Sequence, residues 1–277
     1  MALALVAYDL TDSKLAQWQR FVARCSTDSP QVVVVENHPT APKPTHWPAD
    51  ATWTHVRGSN RHYEFSGYME AMACLVGEEI YSTLGYTSLS ERTLENKDFS
   101  TQSGKIPPEE PIYLFNDTLF SHHSLKNWAR ILKETNWQPG IYGDLREEPI
   151  QLDHRVLRIF ATWHFALIGS EARHQFMANL AAVLAQFEEP IEEAPYQRYL
   201  QHYLAGNWLR GYTDPRGIAD PDALLRKKHC IYAEHRLGRL LDNQGYWRPH
   251  PSPHYPLTRK VDRILALRRR ILKRLTL

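Results

Sequence analysis

The residues best equipped for chemistry fall in two short polar segments, each placed where a predicted strand ends. The first is Arg57-Gly58-Ser59-Asn60-Arg61-His62-Tyr63-Glu64-Phe65-Ser66-Gly67-Tyr68, and the second is Tyr113-Leu114-Phe115-Asn116-Asp117-Thr118. In open α/β sheets ligands bind in the crevice outside the carboxyl ends of the strands. Asp117 is a carboxylate at such an end, able to hold a divalent metal that bridges two phosphates, with Asn116 beside it to hydrogen-bond a ribose or phosphate oxygen. Alternatively, Asp117 opens a turn or caps the next segment. The first segment mixes small residues with Arg57, Arg61 and Glu64 just before a helix, so free N–H groups and a guanidinium can receive an anion. Ser66 or Glu64 can also cap that helix, and the two roles are compatible.

Further titratable residues are less diagnostic. His164 lies at a predicted strand end between Trp163 and Phe165, as either a substrate contact or a satisfied structural histidine. His122-His123 carries the same two readings. Glu192-Glu193 precedes a helix that ends near Gly206; one of them is a candidate general base, or both belong to a solvated acidic loop favouring a helix N-terminus. No HExxH, Walker A, GxSxG or GxGxxG pattern is present, which weighs against metalloprotease, P-loop kinase, serine hydrolase and dinucleotide oxidoreductase.

The elements that must carry these residues alternate. Residues 2–9 form a predicted buried strand, and a helix with Leu15, Trp18, Phe21 and Val22 on one face follows from Asp12. The β-branched run 31–37 has the pattern of a parallel strand covered on both faces, and it presents Glu36 and Asn37 to the crevice, placed to read base or ribose. Four prolines between 39 and 50 mark an extended connector. A short strand at 53–56, a helix over 66–84, a polar surface excursion at 86–109 and a fourth strand at 112–115 come next. A helix at roughly 124–134, strands at 141–144 and 157–163 and a helix at 170–187 complete an α/β pattern with a mostly parallel sheet.

The whole chain has 277 residues, 43% hydrophobic and 23% charged, within the ordinary globular range. Eight Trp, 14 Tyr and 14 His supply rings for stacking on nucleotide or sugar, although most are expected in the core. Cys25, Cys74 and Cys230 form no CxxC pair, and a reducing cytosol fits them best. The apolar N-terminal run is too short for a membrane span. Residues 257–277 hold eight Lys/Arg against Asp262 alone, so the rest of the chain is net acidic. Leu257, Val261, Ile264, Leu265, Ile271, Leu272 and Leu275 fall largely on one helical face there. That is the pattern of a helix lying in an anionic membrane surface, or of one packing its stripe on the body or a second subunit. So few interleaved aromatics weigh against nucleic acid as the partner.

Taken in order, the segments resemble bacterial polysaccharide glycosyltransferases, especially the rhamnan synthesis protein F-like group and, more distantly, inverting transferases of the GT-A fold. The resemblance rests on Asn60 to Tyr68, like that family's nucleotide-sugar loop, on Phe115-Asn116-Asp117-Thr118-Leu119-Phe120, and on Thr162-Trp163-His164-Phe165-Ala166-Leu167 with Glu171, Ala172 and Phe176. It spans roughly residues 2–210, followed by a helical, basic extension over 211–277. It implies a Rossmann-like GT-A domain that moves a sugar from a nucleotide-sugar to a hydroxyl of a saccharide or lipid-linked glycan. On that likeness Arg57, Asn60, Glu64, Gly67, Asn116 and Asp117 bind the donor, with Mg2+ or Mn2+ at Asp117. Trp163 and His164 lie on the acceptor side, and Glu193 or Glu192 is the base. Asn116 leaves one carboxylate where the family motif has two, which motivates a second reading as a non-catalytic nucleotide-sugar or glycan-binding module. The expected location is cytoplasmic, peripheral on the membrane if the tail docks.

Overall fold

In the computed structural model, six strands form one sheet in the order β3-β2-β1-β4-β6-β5. The residues described are 1–25, 28–38, 40, 43–77, 106–152, 155–203 and 220–275. Strands β1 (Ala2–Ala7), β2 (Gln31–Glu36), β3 (Trp53–Arg57) and β4 (Ile112–Asn116) run parallel. Strand β6 (Arg155–Ile168) lies antiparallel to β4 and to β5 (Gly140–Leu152). The sheet is thus a parallel sector flanked by a long antiparallel pair.

Alternation along the central strands explains why both faces are covered. Ala2, Ala4 and Val6 of β1, with Val33, Val35, Ile112 and Leu114, face one apolar core. Leu3, Leu5 and Ala7, with Val32, Val34, Tyr113 and Phe115, face the other. A strand buried on both sides reads as a continuous apolar run, which is what ALALVA and QVVVVE show. Helix α1 (Asp12–Cys25) seals the second face with Leu15, Trp18, Phe21, Val22 and Cys25. Helix α4 (Leu125–Glu134) joins it through Trp128, Ile131 and Leu132, after the short α3 (Thr118–His122). The first face is covered by α2 (Glu64–Val76) and α5 (Ser170–Ala185).

Helix α6 (Ala194–Tyr203) makes a small satellite cluster of Tyr196, Leu200 and Ile231. Helix α7 (Pro221–Asn243) inserts Cys230, Ala233, Leu237 and Leu241 into the core of the first face. Part of the C-terminal segment therefore completes the body. Helix α8 (Tyr255–Leu275) packs on α3 and α4. All three cysteines are buried and unpaired. Among the described residues, no helix is long and apolar enough to cross a membrane.

Several expectations are corrected in detail. Helix α2 begins two residues earlier than expected, at Glu64, and residues 78–84 of the expected helix lie outside the described residues, as do Gly206 and most of the 86–109 excursion. Strands β5 and β6 are far longer than 141–144 and 157–163, because they pair with one another along almost their whole length. His164 is therefore inside a strand, opposite Phe115, rather than at a strand end. Among the described side chains of α8, Thr258 and Asp262 are buried and Val261 and Leu265 half-buried, whereas Leu257 and Ile264 are exposed, so these last two do not pack on the body.

Candidate functional site at the parallel strand tips

The parallel register puts the ends of four strands side by side. Ala7 pairs with Glu36, Glu36 with Arg57, and Val6 with Asn116, so everything following these residues emerges along one edge of the sheet. The Asn60 loop and Asp117 lie on that edge together.

Glu36 is fully buried, and it knits the edge. Its Oε1 accepts the N–H groups of Asp9 at 3.0 Å and His38 at 2.9 Å, and its Oε2 accepts that of Leu10 at 2.6 Å. The bonds from Asp9 and Leu10 hold the turn in which Asp9 has φ 62°, a left-handed conformation that favours glycine. Asn37, also buried, donates from Nδ2 to the Tyr63 carbonyl at 2.8 Å and so ties β2 to the Asn60 loop. Glu36 and Asn37 thus shape the crevice from beneath; neither is open to a ribose in this conformation.

The loop after β3 turns sharply. Asn60 and Tyr63 both have positive φ, at 50° and 54°. Gly58 is required by close approach, since a Cβ there would lie 2.0 Å from Asn37 Oδ1. Gly67 is buried in α2, where a Cβ would meet Val6 Cγ1 at 2.4 Å; it lets the helix lie against β1 and does not itself reach the crevice. The Arg57 guanidinium donates to the His38 carbonyl at 2.8 Å, and Arg61 is exposed on the loop. Beneath it, Glu70 accepts the Ser59 N–H at 2.9 Å, and burial raises its pKa despite that bond.

Asp117 is paired. Lys14, in the first turn of α1, places its ammonium 3.0 Å from Asp117 Oδ2 and donates at 2.9 Å to the carbonyls of Tyr8 and Asp9. Asn116 Oδ1 is also engaged, accepting the Thr118 N–H at 3.0 Å. With one carboxylate neutralised by an ammonium, its neighbour's oxygen used in a turn and Glu36 saturated by backbone donors, this donor set does not suit a divalent cation. Among the described residues, no group of three His, Cys, Asp or Glu could hold a metal ion. Lys14 spends its three N–H groups on Asp117 and the two carbonyls, so this pair is neutral, and Arg61 is the exposed cation on the neighbouring loop.

Two further features escaped the sequence reading. Tyr8, directly after β1, is 51% exposed, and its ring lies 5.0 Å from that of the half-buried His38, giving an aromatic pair at the β1 and β2 tips. The Tyr68 hydroxyl is buried, and its pKa is raised first by burial and then by the charges of Glu64, Glu234 and Asp117. Carboxylates from α2, α7 and the β4 tip therefore act on one point. Glu234 carried no signal because only packing brings α7 to α2.

The other expected site residues are placed differently. Glu193 Oε1 accepts the Tyr232 hydroxyl at 2.9 Å, and the Arg239 guanidinium bonds both its oxygens at 3.2 and 3.3 Å. Burial alone would raise its pKa, but those bonds from Arg239 and Tyr232 lower it, so the carboxylate is a weak base here. Glu192 beside it is exposed. Trp163 and His164 are enclosed, 3% and 1% exposed, and reach an acceptor only through what packs on them. Trp163 stacks on His123 with centroids 3.6 Å apart and donates to Asp144 at 3.2 Å. His164 is held neutral by burial, packed against Phe115 and Trp128.

Comparison of the chain with protein-family models, with curated proteins and with solved structures returns no match. The functional reading therefore rests on the site itself and on the resemblance of its segments.

Proposed function

We propose that the chain is a glycosyltransferase, moving a sugar from a nucleotide-sugar to a hydroxyl of a saccharide or lipid-linked glycan in cell-surface polysaccharide synthesis. The observation that carries this reading is the shared edge: the Tyr8/His38 aromatic pair, the Lys14–Asp117 pair and the arginine-bearing Asn60 loop all follow parallel strand ends. An aromatic pair suits a base, and the exposed Arg61 on the same edge suits a diphosphate. The arrangement is compatible with the Rossmann-like GT-A domain implied by the resemblance.

In this reaction the acceptor oxygen forms a bond to the anomeric carbon as the bond from that carbon to the diphosphate breaks. Negative charge collects on the leaving diphosphate, where Arg61, exposed on the Asn60 loop, offsets it. The acceptor proton passes to a carboxylate, for which Glu192 and Glu64, at the start of α2, are candidates, since Arg239 and Tyr232 make Glu193 a weak base. Inversion at the anomeric carbon follows from a single displacement of this kind.

One observation favours the second reading, a nucleotide-sugar or glycan-binding module without turnover: Glu193 is locked by Arg239 and Tyr232. A panel of UDP-, GDP- and dTDP-sugars titrated by calorimetry, followed by assay of nucleoside diphosphate release with glycan acceptors, separates the two. Release coupled to transfer supports the enzyme; tight binding with no release supports the module; no binding to any of the panel removes both.

A further inference from the structure

Helix α8 turns part of its apolar stripe outward. Among its described side chains Thr258 and Asp262 are buried, at 0% and 3% exposure, Val261 and Leu265 are half-buried, and Leu257 and Ile264 stand 58% and 65% exposed. A helix that merely completes a body turns its apolar side inward. Leu257 and Ile264 are seven residues apart, two turns along the same side of the helix, roughly 10 Å from one another. Lys260 and Arg263 are exposed between them.

The inward side is held by polar chemistry. Asp262 accepts bonds from the Ser124 N–H at 2.9 Å and Trp128 Nε1 at 3.0 Å, and lies 2.9 Å from His123 Nδ1. Arg259 reaches back to the buried Asp144 at 2.8 Å, and the Tyr255 hydroxyl donates to the same carboxylate at 3.0 Å. These directional bonds fix the rotation of α8 about its own axis, and hence fix which residues face away. They also turn the segment's single acid, Asp262, inward together with Arg259, which pairs with Asp144 and Asp262, and leave Lys260 and Arg263 exposed.

We propose that the outward face of α8 is a docking surface for an anionic lipid membrane. Exposed Leu257 and Ile264 flanked by exposed Lys260 and Arg263 match the interfacial region of a bilayer, where the apolar chains enter the acyl boundary and the cations meet lipid phosphates. A second copy of the chain matches less well, because two such faces would bring strongly basic segments together. Helix α8 packs on α3, which begins at Thr118 beside Asp117, so the helix that docks is a neighbour of the β4 tip. A lipid-linked acceptor would then be delivered to the site. That consequence rests on the transfer reading, whereas membrane docking itself does not.

The test uses the full chain without nucleotide. Sedimentation is measured with phosphatidylcholine vesicles and with vesicles in which about a third of the lipid is phosphatidylglycerol. Binding to the anionic vesicles alone, weakened by salt, is expected. The double variant Leu257→Gln, Ile264→Gln, in which no buried contact is altered, should lower partitioning at least about tenfold. Lys260→Glu with Arg263→Glu should lower it by about fivefold or more for each residue changed, with an unchanged melting temperature. Absence of pelleting by the wild type, or variants that pellet like it, overturns the proposal. So does a concentration-dependent dimer, dissolved by the leucine and isoleucine changes, in a protein that ignores vesicles; that result assigns the face to a second copy. Calorimetric nucleotide binding by the same preparations reports on the transfer reading separately, so failure of one is not failure of the other.

Discussion

Replacing Glu36 by Gln tests how the edge is built. The substitution keeps shape and volume but removes the charge from a fully buried group that accepts three backbone N–H bonds. If the amide oxygen takes the Oε1 position, it keeps the bonds from Asp9 and His38 without charge assistance. The amide NH2 must then face the Leu10 N–H, where the carboxylate bond is 2.6 Å, leaving two donors opposed. An orphaned buried N–H costs about 1–3 kcal/mol, and the loss of charge in two further bonds about 0.5–1 kcal/mol each, so the expected destabilisation is roughly 2–5 kcal/mol. For a chain of this size that lowers the melting temperature by roughly 4–20 °C. Differential scanning calorimetry reads it, with urea melts as the check on two-state behaviour. Asp9 should also relax from its left-handed conformation, so the amide signals of Asp9 and Leu10 should shift. A melting temperature within about 2 °C of wild type would refute the reasoning that Glu36 holds the β1–α1 turn.

Tyr8→Ala should weaken nucleotide binding by about 1–3 kcal/mol with no change in melting temperature, if its exposed ring stacks on the base; equal affinity by calorimetry removes it from the site. Asp262→Ala strands the donors of Ser124, Trp128 and His123 and leaves Arg259 with less compensation, so it should cost about 3–5 kcal/mol in urea melts and expose α8 to protease. Acid should destabilise the fold well above the carboxylate range. Burial holds the imidazoles of His250 at about 4 and His235 at about 3, whereas the unfolded chain takes up those protons near 6.5. Between about 6.5 and 4 the unfolded state therefore binds more protons, and stability should fall on the order of 1 kcal/mol per pH unit for each histidine. A flat stability profile over that window contradicts this.

The parallel sector was legible because its strands are buried on both faces and their sequences say so: ALALVA, QVVVVE and IYLFN leave little alternative. The strand-end argument then brings Glu36, Asn60 and Asp117 to one edge without any coordinates. What could not be read was which polar atoms are already satisfied. Glu36 looks like a ligand from its position but spends its carboxylate on backbone donors supplied by residues 9, 10 and 38. Lys14 passed unremarked as a surface residue of α1, since only the tight turn after β1 carries its ammonium back to Asp117. The orientation of α8 was hidden for a similar reason. Periodicity identifies an apolar stripe, but the partners of Asp262 and Arg259 come from residues 123, 124, 128 and 144, and they set the rotation that leaves Leu257 and Ile264 outside.

Calorimetric titration of a nucleoside diphosphate into the wild type and into Arg61→Met, in buffer containing chelator, tests whether the strand-tip edge grips an activated sugar by its diphosphate. Binding by the wild type that survives metal removal and falls at least about tenfold in Arg61→Met is the predicted result, as expected for the loss of a cation facing a phosphate. No binding to the wild type, or binding that appears only with Mg2+ or Mn2+ and is indifferent to Arg61, would contradict the account.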